Sequence, residues 1–189
     1  VSDASGCSSI DSAIVAEPAA LAISNVASNV TCNGAANGSI TLTVSGGTPG
    51  YAYLWNGGAT TSSLTGIGAG NYQVTVTDTN GCSISDSVTI TEPTAVTVSI
   101  ASTDESCGSA DGTATATATG GTGAYTFTWS NAATTAGITG LTAGTYTVTV
   151  SDANGCTNTG TATLTNTAAP SVVVSKINQT CGNQADGQA

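Results

Sequence analysis

The stretch "GIGAGNYQVTVTDTNGC" at 66–82 decides the fold, because the chain repeats it almost unchanged as "GLTAGTYTVTVSDANGC" at 140–156. After each "AG", apolar residues alternate with Thr, Gln or Ser, which is the two-residue period of a strand with one buried face. Each strand ends in "DTNG" or "DANG", a strong turn signal. An internal repeat of this kind indicates copies of one β module.

The cysteines set the period of the repeat. They form two series with steps of 75 and then 74 residues: Cys7, Cys82 and Cys156 in one, and Cys32, Cys107 and Cys181 in the other. All eight aromatic residues follow the offset of 74. We therefore predict four segments: the C-terminal part of a preceding repeat at 1–18, complete repeats at 19–93 and 94–168, and the N-terminal part of a following repeat at 169–189. This division predicts that the chain is a window on a longer array.

Within one repeat, strictly alternating runs such as "GSITLTV" and "GTATATATGG" are separated by the turn signals "GGTPG", "WNGG" and "EP". No stretch combines a helical period with caps. The pattern predicts an all-β fold of tandem immunoglobulin-like β-sandwiches, each with about seven short strands in two sheets.

Two strings support the immunoglobulin-like choice. "IGAGNY", ending at Tyr72, and "LTAGTY", ending at Tyr146, match the tyrosine corner, in which a Tyr hydroxyl bonds back to the backbone. Trp55 and Trp129 are expected to fill the centre of the core. A sugar-stacking platform on the aromatic strands "YAYLW" and "YTFTW" is the competing functional interpretation.

The composition excludes several classes of function. The chain has one basic residue, Lys176, no His, and a formal charge of −10. Nucleic acids and anionic lipids both require clustered Lys or Arg, so neither is expected as a partner. No apolar run approaches the roughly 18 residues of a membrane span, so no membrane insertion is expected. Without a base to pair with a nucleophile, we expect no enzyme and no catalytic residue.

The six cysteines are expected to form disulfides, because no C-x-x-C or His accompanies them. This implies an oxidising, extracellular setting. A set of reduced, buried cysteines is the alternative. Three pairings remain open: within each repeat (Cys32–Cys82, Cys107–Cys156), between neighbours (Cys32–Cys156), or across 25-residue hairpins (Cys7–Cys32, Cys82–Cys107, Cys156–Cys181).

Asp3, Asp78 and Asp152 each stand three residues before a glycine, where an Asp opens a turn by binding its own backbone. The alternative is a weak calcium site at the repeat junctions, with Asp78 and Asp152 as ligands together with Asp86, Asp104 or Glu105, although the dense alternating carboxylates of a dedicated calcium loop are missing. No other cofactor is expected.

The strings "CNGAANGSI", "CGSADGTA", "GGTPGY", "YLWNGG" and "TITEP" together resemble the SprB-type repeat of surface adhesins from gliding Bacteroidota, and more distantly the polycystic-kidney-disease (PKD) sandwich. The chain departs from the pattern at "GGTGAY", which lacks the proline, and at "LTNTAAP", which replaces "EP". "DSA" and "DSV" also resemble the O-glycosylation signal of Bacteroidota and would place glycans on Ser12 and Ser87.

The resemblance implies export by the type IX secretion system and display on the cell surface, where such filaments grip the substratum during gliding. The chain would then be part of a stalk, with neighbouring repeats and surface polysaccharides or other surfaces as partners. A spacer or glycan-binding module of a large secreted hydrolase is the alternative function.

Overall fold

The computed structural model describes residues 1–2 and 4–175. It divides into two compact units, Val1–Ala95 and Val96–Ala189. Every regular element of the described residues is a β-strand. The predicted all-β class is confirmed, and each unit is an immunoglobulin-like β-sandwich. The predicted repeat boundaries, 19–93 and 94–168, stay a prediction.

The described residues of the first unit form six strands in two antiparallel sheets. They are β1 (Ala22–Ser28), β2 (Gly38–Ser45), β3 (Ala52–Trp55), β4 (Ser63–Ile67), β5 (Gly70–Thr77) and β6 (Ser83–Ile90). One sheet has the order β1-β2-β4 and the other β3-β5-β6.

The second unit repeats this arrangement and adds one short parallel pair. Its strands are β7 (Thr97–Thr103), β8 (Glu105–Ser106), β9 (Gly112–Thr119), β10 (Thr126–Trp129), β11 (Gly137–Leu141), β12 (Gly144–Ser151), β13 (Thr157–Leu164) and β14 (Asn166–Thr167). Its sheets have the orders β11-β9-β7, β10-β12-β13 and β14-β8.

Each sandwich therefore has six main strands where the sequence predicts about seven. The segment after the first strand is reduced to a short bridge in both units. In the first unit the N–H of Val30 donates to the carbonyl of Thr91 at 3.2 Å. In the second unit the same segment is the two-residue strand β8, paired with β14. The bridge stays short because a tight turn follows it at once, at 32–35 and 106–109.

The cores lie between the two sheets and follow the predicted alternation. In β2, Ile40 and Leu42 are buried, and their counterparts in β9 are the much smaller Ala114 and Ala116. The lost volume is recovered by β11, whose Ile138 and Leu141 are both buried, while the matching residues of β4 are only partly buried. The two repeats thus reach a packed interior with different side chains.

Several apolar side chains outside the two sandwiches are exposed. Val15 is 90% exposed, although by the period it matches Ile90, which is buried. Val174 is likewise exposed, and it matches the half-buried Ile100. These residues have the sequence of core strands but no covering sheet among the described residues.

Candidate functional site: the repeated turn clamp and the cysteines

The turn between β5 and β6 is organised by one buried carboxylate. Asp78 is 5% exposed. Its Oδ1 accepts hydrogen bonds from the backbone N–H of Asn80 at 3.0 Å and of Cys82 at 2.8 Å. Its Oδ2 accepts the N–H of Thr48, in the turn between β2 and β3, at 2.8 Å. One side chain therefore joins two turns at the same end of the sandwich, and we call this arrangement the turn clamp.

The second repeat has the same turn clamp. Oδ1 of Asp152 accepts the N–H of Asn154 and of Cys156, both at 2.9 Å, and Oδ2 accepts the N–H of Thr122 at 2.8 Å. Asp152 is also 5% exposed. The Asp that sequence reasoning assigns to turn opening thus reaches further than its own turn.

Hydrogen bonds to the ionised carboxylates shift the acidity of both residues. The N–H of Thr48 is the largest influence on Asp78 and lowers its pKa, against a smaller opposing effect of burial. For Asp152, burial raises the pKa, but the N–H groups of Thr122, Cys156 and Asn154 together outweigh it, so the pKa lies below its usual value. Both carboxylates are therefore held ionised in the folded protein.

Glycine is required where the clamp closes. Gly47 has φ +60°, a backbone conformation that side chains disfavour. A Cβ at Gly47 would lie 2.8 Å from Oδ2 of Asp78, and one at Gly121 would lie 2.6 Å from Oδ2 of Asp152. The second glycine of each "GG" thus allows the backbone to approach the carboxylate.

The carboxylates do not form clusters. No group of three His, Cys, Asp or Glu side chains that could hold a metal occurs in the described part of the chain. Asp3 lies outside the described residues. Calcium binding at Asp78 and Asp152 stays a hypothesis.

The aromatic residues occupy structural positions in both sandwiches. Trp55 and Trp129 are each 2% exposed, and their indole N–H groups donate to the carbonyls of Thr61 and Thr135, both at 2.9 Å. These indoles are buried in the cores, with their one polar group satisfied.

The two tyrosine corners have the hydrogen bonds that define the motif. The hydroxyl of Tyr72 donates to the carbonyl of Gly68 at 3.0 Å, and that of Tyr146 donates to the carbonyl of Thr142 at 3.1 Å. Both tyrosines are half-buried.

The aromatic strand does not present a platform for sugars. Trp55 is buried and Tyr53, on the same face of β3, is half-buried, while the outward residue between them is Leu54, which is 59% exposed. Beside Leu54 lies a shallow groove of about 800 Å³ on the β3-β5-β6 sheet, bordered by Asn56, Gln73 and Ser85. Half of the residues that line the groove have uncharged polar side chains, and Asp86 adds one carboxylate.

Two carboxylates of the second repeat, considered from the sequence only as calcium ligands, bind backbone N–H groups instead. Glu105 is 5% exposed, and its two oxygens accept the N–H of Ala110 at 3.0 Å and of Ala143 at 2.8 Å. Its counterpart in the first repeat is the buried Val30. Asp104 accepts the N–H of Thr165 at 2.8 Å, and this bond is the main cause of its lowered pKa. The sequence signal for these roles was the change from Asn29-Val30 in the first repeat to Asp104-Glu105 in the second.

Cys32 and Cys156 form a disulfide, the pairing predicted between neighbouring repeats. Pairing within each repeat is therefore wrong, and the first unit shows why. The segment around Cys32 contacts Glu92, next to the Gly38 end of β2, whereas Cys82 lies in the turn clamped to Thr48, beyond the other end of β2. An eight-residue strand spans roughly 24 Å, far more than the ~7 Å that a disulfide bridges.

The other cysteines differ in what the structure describes. Cys82 and Cys107 are exposed and carry free thiols, so the hairpin pairing Cys82–Cys107 is also wrong. Cys7 is exposed. Cys181, like Lys176, lies outside the described residues.

One family model matches a segment in each repeat. The family model described as "SprB repeat" matches residues 24–60 and 99–134, one segment in each unit. No curated protein matches the sequence. Among the described residues, none forms a helical segment that could span a bilayer.

Several solved structures have some similarity to this chain. The C-terminal 282-residue fragment of intimin, in complex with the intimin-binding domain of its translocated receptor, has 17% identity and a TM-score of 0.39, over 79% of this chain and 64% of that one. The amphioxus IgVJ-C2 molecule has 18% identity and a TM-score of 0.31, over 63% and 90%. Murine CEACAM1b has 14% identity and a TM-score of 0.31, over 70% and 94%. At these scores the fold rests on the chain's own sheets.

Proposed function

We propose, from the two SprB-type repeats that this chain carries, that it forms part of the stalk of a large repetitive adhesin outside the cell. The SprB repeat is a structural, non-catalytic module. The observation that carries the proposal is the presence of the same sandwich twice, each matching the repeat. In tandem-repeat proteins, each added repeat adds length.

The extracellular location is supported by the disulfide between Cys32 and Cys156, because disulfides persist in oxidising compartments. An origin in Bacteroidota, export by the type IX secretion system and a part in gliding motility extend the proposal, and the SprB resemblance supports them. Surface polysaccharide is the proposed partner of the whole adhesin.

A spacer or glycan-binding module of a large secreted hydrolase is the second candidate. The groove beside Leu54 favours it, because its border of amide and hydroxyl groups suits a neutral carbohydrate. The matching positions of the second repeat are Thr128, Ser130 and Thr147. A carbohydrate that binds the groove of the first repeat would therefore meet different side chains in the second.

Labelling of intact cells tests the proposal. Antibodies against the 189-residue chain, visualised with gold by electron microscopy, should mark filaments on the surface of cells that produce the protein. Cells lacking the gene should attach to glass several-fold less than their parent, and the restored gene should recover attachment. The hydrolase spacer would instead be supported if the antibodies labelled protein in the culture medium, the medium hydrolysed glycans, and cells lacking the gene attached as well as their parent.

Two smaller proposals concern single residues. Glycans on Ser12 and Ser87 are supported by the exposure of both residues, and the intact mass of the protein from its own cells tests them. Weak calcium binding at Asp78 and Asp152 would appear as a rise in melting temperature on replacing a chelator with millimolar calcium. A melting temperature that does not change would contradict it.

A further inference from the structure

Cys82 occupies the same local structure as the disulfide-bonded Cys156. In the first repeat the N–H of Asp78 donates to the carbonyl of Cys82 at 2.9 Å, while the N–H of Cys82 returns to Oδ1 of Asp78 at 2.8 Å. In the second repeat the corresponding bonds between Asp152 and Cys156 are 3.0 and 2.9 Å. The turn clamp therefore presents both cysteines in the same way, but Cys82 is an exposed free thiol.

Cys107 similarly matches the disulfide-bonded Cys32. A glycine that follows each cysteine by one or two residues is anchored to the chain just after the last main strand of its own unit. Gly34 donates to Oε2 of Glu92 at 2.7 Å, and Gly108 donates to Oδ1 of Asn166 at 3.2 Å. The loops differ by the one residue that separates "CNGAANG" from "CGSADG". Cys107 is also exposed and free.

The disulfide between Cys32 and Cys156 gives a pairing rule for both series of cysteines. Cys32 is the first cysteine of its repeat, and Cys156 is the second cysteine of the following repeat. By the same rule Cys107 requires the second cysteine of the repeat after its own, and Cys82 requires the first cysteine of the repeat before its own. Neither partner is among the six cysteines of this chain.

We propose that Cys82 and Cys107 form disulfides with adjoining repeats of the same protein, by the rule that Cys32 and Cys156 follow. The inference rests on the proposed tandem array. Each bond forms when two thiols lose two electrons and two protons to a small-molecule disulfide, such as glutathione disulfide, which is reduced to two thiols. Every repeat would then be covalently linked to both of its neighbours, and consecutive bonds would overlap along the chain.

The test begins with the 189-residue chain. Alkylation without reduction should label Cys82 and Cys107 and leave Cys32 and Cys156 unlabelled. The chain is then extended directly with a second copy of residues 41–189, which continues the period, and is oxidised with glutathione disulfide. Because Lys176 is the only basic residue, non-reducing peptide mapping uses a protease that does not depend on Lys or Arg.

The expected result is a peptide joining Cys107 of the first copy to Cys82 of the second, with both thiols now protected from alkylation. A variant with Cys107→Ser in the first copy should leave the thiol of Cys82 in the second copy open to alkylation. A matched Cys32→Ser variant should leave the new link intact. Cys107 joined to either Cys156, or both thiols still alkylated in the extended chain, would overturn the rule. The labelling of intact cells does not depend on these disulfides, so it tests the stalk separately.

Discussion

Asp78 and Asp152 show how a single residue can define a turn and also join it to another. In each case a carboxylate accepts three or more backbone N–H groups that would otherwise need water. The sequence predicts the local part of this role, because an Asp three residues before a glycine is typical of a turn. The longer bond, from Thr48 or Thr122, connects residues 30 positions apart and has no local signal.

The lowered pKa of both carboxylates predicts an acid-dependent stability. A folded-state pKa below the unfolded value stabilises the fold at any pH above the unfolded value, about 4 for Asp, and this contribution is lost as the pH falls through the folded-state pKa. Melting temperatures followed by circular dichroism should therefore change little between pH 7 and 5 and fall below about pH 4.

The Asp78→Asn variant should melt at a lower temperature at pH 7 and lose less than the parent on acidification. Asp11→Asn, at an exposed position, is the matched control and should behave as the parent. An equal acid-induced loss in the parent and in Asp78→Asn would show that other carboxylates cause it.

The tyrosine corner gives a second prediction at the residue scale. Tyr72→Phe removes the donor to the carbonyl of Gly68 and should reduce the free energy of unfolding of the first repeat by about 1 kcal/mol in urea titrations. Tyr53→Phe is the control, because the hydroxyl of Tyr53 makes no hydrogen bond within the described residues. Equal losses in the two variants would mean that the corner contributes packing and not a hydrogen bond.

At the scale of elements, the repeats solve the contact between the first and last strands differently. In the first repeat, Asn25 of β1 donates to Asp86 of β6 at 2.9 Å. In the second, the matching positions are Ile100 of β7 and Gly160 of β13. A Cβ at Gly160 would lie 2.8 Å from Cδ1 of Ile100. The polar pair of the first repeat is thus replaced in the second repeat by an apolar side chain, Ile100, that packs on the backbone of Gly160.

This difference predicts an energetic coupling between the two positions. Gly160→Asp should destabilise the second repeat by roughly 1–3 kcal/mol, because it overpacks the contact with Ile100 and adds an unpaired charge. Ile100→Asn in the same chain should recover part of the loss, since it supplies the partner that Asn25 provides in the first repeat. Urea unfolding of the two single variants and the double variant measures the coupling. Purely additive losses would contradict it.

The strands themselves could be predicted from sequence because alternation is a local property. Val148 and Val150 of β12 are fully buried and Thr147 and Thr149 exposed, as the parity of "TYTVTV" requires. The strand count of six was not predictable, because the short bridge at Glu105 makes only two paired positions and has no periodicity. The difference between Asp86 and Gly160 was not predictable either, because each residue depends on a partner in another strand.

At the scale of the whole molecule, threonine takes the place that charged residues hold in most surfaces. Thr128, Thr149 and Thr159 lie side by side across three strands of the second repeat, all exposed. On the other sheet, Thr97 bonds Thr119 at 2.7 Å. A β-branched residue with a hydroxyl satisfies strand geometry and water together. This explains how a chain with 6% charged residues can be built from exposed sheets.

The turn clamp also has a consequence for the dynamics of the backbone. Loop amides normally exchange their protons with deuterated solvent within seconds, since only water binds them. The N–H groups of Thr48, Asn80 and Cys82 instead end on one buried, ionised carboxylate. Breaking any of these hydrogen bonds requires the side chain of Asp78 to move out of its buried position. In each sandwich, therefore, this end should open only when the sheets beneath it open, and its loops should exchange as slowly as strands.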